Sequence, residues 1–135
     1  MSTESNKRLV GSFYDAGNRG DIDACLDLLS PDVVWTNTGT TPFSGRYAGK
    51  AVVISELIGP LFGRLANGIR STVDQLIAEG EYVAALVRGE AMTQDGRPYN
   101  NTYCHVFRIV DGRIVAVTEY LDTALANEVL GRGES

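Results

Sequence analysis

Apolar positions along this chain follow two different rhythms. Through the first third they recur at helical spacing: Leu9, Phe13 and Ala16, with Val10, Tyr14 and Gly17, predict a first helix from about Glu4 to Asn18. "NRGD" breaks it, and Asp21 is placed to cap a short second helix through Ile22, Cys25, Leu26 and Leu29. "SPD" ends that helix, because proline brings no N–H to the hydrogen-bond ladder. A third stripe, Ile54, Leu57, Ile58, Leu61, Phe62 and Leu65, predicts a helix from Lys50 onward, kinked or interrupted at Pro60.

The second rhythm is that of strands. "VVWTN" reads as a strand ahead of a Thr-, Gly- and Pro-rich loop. After the third helix come "STVDQLIA", "EYVAALVRGEAMT", "RPYNNTYCHVFRIV" and "RIVAVTEYL", the last three joined at "QDGR" and "DGR", both hairpin signals. A short helix, "TALANEVL", closes the series. Helices followed by an antiparallel meander make an α+β fold. The expected form is a cone-shaped α+β barrel, a strongly curved and mostly antiparallel sheet wrapped around the N-terminal helices. The space it encloses is where a ligand belongs. No repeat or linker divides residues 1–135, so one domain is expected.

Composition narrows the partners. At 135 residues, 44% hydrophobic and 21% charged, the chain is long enough for one core without metal or disulfide staples. Twelve Lys and Arg stand against 17 Asp and Glu, with no basic cluster, which argues against nucleic acid. No secretory signal and no long apolar run are visible, so no membrane association is expected and a cytoplasmic location is. Cys25 and Cys104 lack metal-ligand spacing and read as small core residues. Glycine-rich phosphate loops, GxSxG and HExxH are all missing, which argues against nucleotide-dependent, serine-hydrolase and zincin chemistry.

Candidate chemistry lies in lone polar residues on apolar strands. The only histidine, His105, precedes the "DG" turn, and Glu119 follows it. A two-residue loop, Asp111-Gly112, places the two on opposite faces. A three-residue loop beginning at Val110 makes them diagonal neighbours on one face, about 7–8 Å apart. The apolar pattern favours the three-residue loop, which gathers His105, Phe107, Val117 and Glu119 on one surface. In a shared apolar pocket either ionisable group can move a proton near neutral pH.

A second constellation is Arg88-Gly89-Glu90. It is either an oriented carboxylate beside its guanidinium or a strand face leaving the core with both charges solvated. Trp35 and Asn37 share one strand face; Trp35 either walls a pocket or packs in the core, and Asn37 can fix a substrate oxygen or a water. Tyr14 can deliver a phenol to the same cavity, with helical spacing leaving open whether it or Phe13 points inward. Asn100 and Asn101, in "PYNNTY", suit an interface as well as a site. His105, Glu90 and Glu119 can be drawn as a facial metal triad, but nothing in their spacing demands a metal.

These segments resemble a known superfamily. "NRGDIDACLDLLSPDVVW", "FSGRYAGKAVV" and "FRIVDGRIVAVTEYLDT" look like the nuclear-transport-factor-2-like fold, most of all its SnoaL-like, ketosteroid isomerase-related branch. The resemblance spans almost the whole chain and implies a homodimer through the sheet face. Ketosteroid isomerases carry an Asp where this chain has Asn37, another at about His105, and a Tyr at about Phe13. SnoaL-like polyketide cyclases carry a His and an Asp resembling His105 and Glu119. Limonene-epoxide-hydrolase-like enzymes carry an Arg-x-Asp resembling Arg88-Gly89-Glu90, a second Asp near Glu119, and a Tyr-x-Asn resembling Trp35-Thr36-Asn37.

The expectation is a SnoaL-like enzyme acting without a cofactor on a small, mostly apolar or amphipathic carbonyl or epoxide compound. Its chemistry would be acid–base, of isomerase, cyclase or hydrolase type. Glu119 would be the base and His105 the hydrogen-bond donor to a developing enolate. Arg88 and Glu90 would complete the polar wall. Asn37, Trp35, Tyr14, Phe107 and Val117 would bind substrate. The competing expectation is a non-catalytic ligand-binding or accessory dimerisation domain of the same fold.

Overall fold

The computed structural model describes residues 2–131. Ser2 caps the first helix, α1 (Thr3–Asn18), with its side chain taking the Ser5 N–H at 3.0 Å. The buried stripe of α1 is Asn6, Val10, Phe13, Tyr14 and Ala16. Asp21 caps α2 (Ile22–Asp27) as its sequence position implies, accepting from Ala24 N–H at 3.1 Å. That helix stops before "SPD". Pro31 instead sits inside the first strand, β1 (Leu29–Asn37). It is exposed there, where the pairing register with β6 jumps between Leu29 and Val34, so its missing N–H breaks no regular ladder.

After a short β2 (Gly45–Ala48) the third helix forms as one run in three parts. These are α3 (Lys50–Val52), a π-helical stretch (Val53–Ile58) and α4 (Gly59–Gly63). The widened turn has a local cause. Gly59 N–H bonds to the Ile54 carbonyl five residues back, and a Cβ at Gly59 would lie 2.9 Å from that oxygen. Pro60 follows at once, so the expected interruption takes the form of a π-bulge.

The sheet is completed by β3 (Arg70–Glu79), β4 (Tyr82–Glu90), β5 (Asn101–Val110) and β6 (Arg113–Leu121), before α5 (Thr123–Leu130). Its order is β2-β1-β6-β5-β4-β3, antiparallel except for the parallel β1–β6 pair. The sheet is open, and its inner face packs on the N-terminal helices in the cone-shaped α+β form.

The β5–β6 hairpin decides the site, and its loop is the two-residue one, not the three-residue one that the apolar pattern favours. The turn holds two residues: Val110 pairs with Arg113, and Asp111 (φ 51°) and Gly112 (φ 74°) both take left-handed conformations. This is the geometry of a two-residue hairpin loop that "DG" favours. Ile109 pairs with Ile114, but Arg108 pairs with Ala116, so Val115 is an extra residue in β6. This β-bulge reverses the side-chain parity beyond it. Ile114 and Val117, three apart, are consequently both buried, and Glu119 comes to lie directly opposite His105.

Candidate functional site

Four strands contribute one cross-sheet row, Asn37, Glu119, His105 and Ala85, each paired with the next. The adjoining row is Trp35, Val117, Phe107 and Val83. On the inner side of the sheet lies a cavity of about 610 Å³, with Tyr14, Trp35, Asn37, His105 and Glu119 in its wall. Phe13 and Tyr14 both line it, so the choice between them dissolves: adjacent positions on α1 flank one wall.

Glu119 is the centre of the polar cluster. Its Oε1 accepts from the Trp35 indole N–H at 2.9 Å and from Asn37 Nδ2 at 3.4 Å. Its Oε2 lies 3.5 Å from His105 Nε2, an ion-pair contact without hydrogen-bond geometry. Burial pushes the Glu119 carboxyl up, but His105 and the Trp35 donor outweigh it and hold the group below the ordinary 4.5. At neutral pH Glu119 is a carboxylate.

Behind His105 stands Tyr14, its hydroxyl 2.5 Å from Nδ1. Burial first, and the Glu119 charge next, raise the Tyr14 phenol well above 10.0, so the phenol keeps its proton and donates it to Nδ1. In the neutral ring the remaining proton then sits on Nε2, facing Glu119. Tyr103 lies near-parallel to the imidazole at a centroid distance of 5.3 Å, and Tyr14 meets the ring end-on through its hydroxyl, with centroids 5.9 Å apart.

The remaining predicted residues fall elsewhere. Phe107 and Val117 do not line the cavity; they are fully buried in the neighbouring row, as the floor that supports the site. Arg88 and Glu90 are exposed on the outer face of β4, away from the cavity. Arg88 makes a two-pronged ion pair with Asp74, Nε and Nη2 each 2.8 Å from a carboxylate oxygen. The polar wall expected from "RGE" is therefore not formed by these two, since alternation sends their side chains outward while Val83, Ala85 and Val87 point inward. For the same reason Glu90 cannot join His105 and Glu119 around one ion.

Gly89 is the inward member of that tripeptide. A Cβ there would meet the Tyr103 ring at 2.9 Å and the Ile69 side chain at 3.1 Å. Asn101 is buried as a clamp at the β5–α5 junction. Its amide donates to Tyr99 Oη and the Asp122 carbonyl, and its oxygen accepts from the Thr102 and Asp122 N–H groups.

Several wall residues were not singled out for the site from sequence. Leu57, Ile58, Leu61 and Phe62 form an apolar wall of the cavity; their stripe reads as core from sequence. Phe43 arrives from a loop with no periodic signal, and Tyr99 from the irregular segment before β5. Cys25 also lines the wall, its thiol pushed up to about 11 by burial and by Asp21, so it is protonated and unreactive at neutral pH.

Comparison with known proteins bears on this architecture. The model of the SnoaL-like domain family matches residues 10–117. An NTF2-like protein of unknown function from Burkholderia pseudomallei, a crystal structure, is similar over 96% of this chain and 98% of its own. Its identity is 29% and its TM-score 0.83. An LEH-like epoxide hydrolase from M. tuberculosis is similar over 98% of this chain and 93% of its own, with 24% identity and a TM-score of 0.75. TerC, co-crystallised with polyporic acid, is similar over 93% and 98% respectively, with 22% identity and a TM-score of 0.81. The last two likenesses are of fold alone. No match was found among curated proteins.

Proposed function

This chain belongs to the SnoaL-like domain family, and from that premise we propose that it moves protons on a small, mostly apolar carbonyl compound, with its own side chains as acid and base. The observation that carries the proposal is the ionised Glu119 in the wall of an apolar cavity, steadied by Trp35 and Asn37 and facing His105. A carboxylate held this way is positioned to accept a proton from carbon. The C–H bond breaks, its electrons move onto the adjacent carbonyl oxygen, and His105 Nε2–H donates to the enolate that forms. Return of the proton to another carbon isomerises the substrate; attack of the enolate carbon on a second carbonyl closes a ring as that carbonyl's π bond opens, and the new alkoxide takes the proton held by Glu119.

The same stabilisation limits the substrate. A carboxyl held below its ordinary range is a weak base, so the C–H it attacks must be acidic, as one flanked by two carbonyls is. Acetylacetone is therefore a suitable first probe. Wild-type protein should speed deuterium uptake from D2O at its central carbon, followed by NMR, and Glu119→Gln should not. Equal uptake by the two proteins rules the assignment out and leaves a ligand-binding domain as the reading.

We also propose that a second copy docks on the outer sheet face. Ile77 on β3, Tyr82 and Leu86 on β4 and, across β5, Tyr120 on β6 are exposed there, and so many apolar side chains on one face are uncommon on a free surface. Sedimentation should give a dimer, and Leu86→Arg a monomer; a monomeric wild type contradicts it.

A further inference from the structure

One position on the inner face of α1 is left empty. At about 100° per residue, Gly17 falls between Phe13 and Tyr14, inside the buried stripe that also holds Asn6 and Val10. A side chain there would point inward, lying back over the turn that carries Phe13 and Tyr14. Yet a Cβ at Gly17 would meet nothing within 4 Å, whereas Val10 in the same stripe is fully buried. The open space in front of Gly17 is the cavity, whose wall includes it. Glycine inside a helix costs stability relative to alanine, and neither a clash nor a positive φ calls for it here. What it supplies is room.

That room continues the polar cluster in one direction. One turn back, Tyr14 reaches His105 and so the Glu119 carboxylate. Past Gly17 the cavity wall runs on through the alkyl side chains of Ile22 and Ile69 and the bare backbone of Gly20 and Gly68. Two hydrogen bonds of 2.8 Å between the Asn18 side chain and the Ser71 backbone tie the end of α1 to β3 and hold this part of the wall in place. A five-carbon diketone at Glu119 would leave most of the 610 Å³ unfilled.

We propose that Gly17 is a length-reading position: the ligand carries an apolar extension that lies against the bare α1 backbone there, so the cavity selects a tail-bearing carbonyl compound over a compact one. Only the placing of the carbonyl head at Glu119 rests on the acid–base reading above.

The probes are acetylacetone (2,4-pentanedione) and 2,4-nonanedione, which share a head and differ by four methylenes, with binding followed by NMR titration. A buried methylene is worth about fourfold in affinity, so wild type should bind the longer probe more tightly by about tenfold or more. Gly17→Leu fills the space and should bring the two affinities to within about twofold, with acetylacetone binding as before. Gly11→Leu, on the same helix but off the buried stripe and outside the cavity wall, should leave both affinities unchanged. Gly17→Ala should unfold at a higher temperature than wild type and yet bind nonanedione less well, a combination that damage to the fold does not produce. In wild type the Gly17 backbone amide resonance should shift with nonanedione and not with acetylacetone.

Equal affinities in wild type, an undiminished ratio in Gly17→Leu, an equal loss of both probes in that variant, or binding of neither probe to wild type overturns the proposal. If Gly17→Leu does not fold, an undiminished ratio in Gly17→Ala overturns it instead. These readouts involve no turnover. A failed deuterium-exchange test with intact length discrimination overturns the acid–base function and leaves Gly17 in this role, and the reverse result does the opposite.

Discussion

Glu119 stands directly opposite His105 across the β5–β6 ladder, with its Oε2 3.5 Å from the imidazole Nε2. One extra residue, Val115, is responsible. Without that bulge the two-residue Asp111-Gly112 turn would set Thr118 against His105 and turn Glu119 to the outer face. The bulge also brings Glu119 level with Asn37 on the parallel neighbour β1, so three strands deliver their polar residues to one point.

Deleting Val115 should leave the site assembled, because the residue removed is the unpaired one. Ile114, Ala116 and Val117 then alternate regularly, and Glu119 stays opposite His105. Deuterium exchange into acetylacetone should persist in the deletion variant. A folded deletion variant that has lost exchange would show that the bulge itself, and not the pairing of Glu119 with His105, sets the site.

Tyr14→Phe keeps the ring that packs on Phe13 and Phe107 but removes the hydroxyl at His105 Nδ1. The imidazole then loses the contact that selects its Nε2–H form. Denaturant unfolding should register a loss of about 1 kcal/mol, the usual worth of one buried hydrogen bond. Nitrogen chemical shifts of the histidine should report a mixture of tautomers, and exchange should slow. Unchanged nitrogen shifts would assign the tautomer to some other partner.

The pH dependence follows from the lowered Glu119 carboxyl. The folded state favours the ionised form, so the stability it contributes is complete above the ordinary value of 4.5 and is lost as pH falls through the lower folded value. The gap in unfolding free energy between wild type and Glu119→Gln should hold from neutral pH down to 4.5 and change only below it. The exchange rate should fall in the same acid window. A rate that already drops on the alkaline side of 4.5 would mean that a different group is the base.

The "RGE" tripeptide should act through its glycine. Arg88→Ala and Glu90→Gln alter an outward face and should leave exchange unchanged. Gly89→Ala drives a methyl group into the Tyr103 ring, and overpacking of this kind costs about 1–3 kcal/mol. Tyr103 stacks on His105, so exchange should also slow. Activity lost in Arg88→Ala and retained in Gly89→Ala would reverse this ordering.

Much of the architecture was written in local pattern. Helical spacing from Leu9 to Gly17, the Asp21 cap, the "DG" turn and the closing "TALANEVL" all depend on neighbours a few residues apart, and each forms where its pattern lies. Trp35, Asn37, Tyr14, His105 and Glu119 were identifiable because each is an isolated polar or amphipathic group in apolar surroundings. Their convergence was not a local property. Whether His105 and Glu119 meet depends on a bulge that no turn residue announces, since Val115 looks like any other strand valine. Which face of β4 is inside depends on the helices that cover it, so Arg88 and Glu90 could be paired in sequence but not aimed. Phe107 and Val117 had the right parity and the wrong depth, one row below the cavity. Local periodicity determined which segments exist and which residues could do chemistry. Register, parity and depth come from contacts between residues far apart in the chain, and only the tertiary structure decided those.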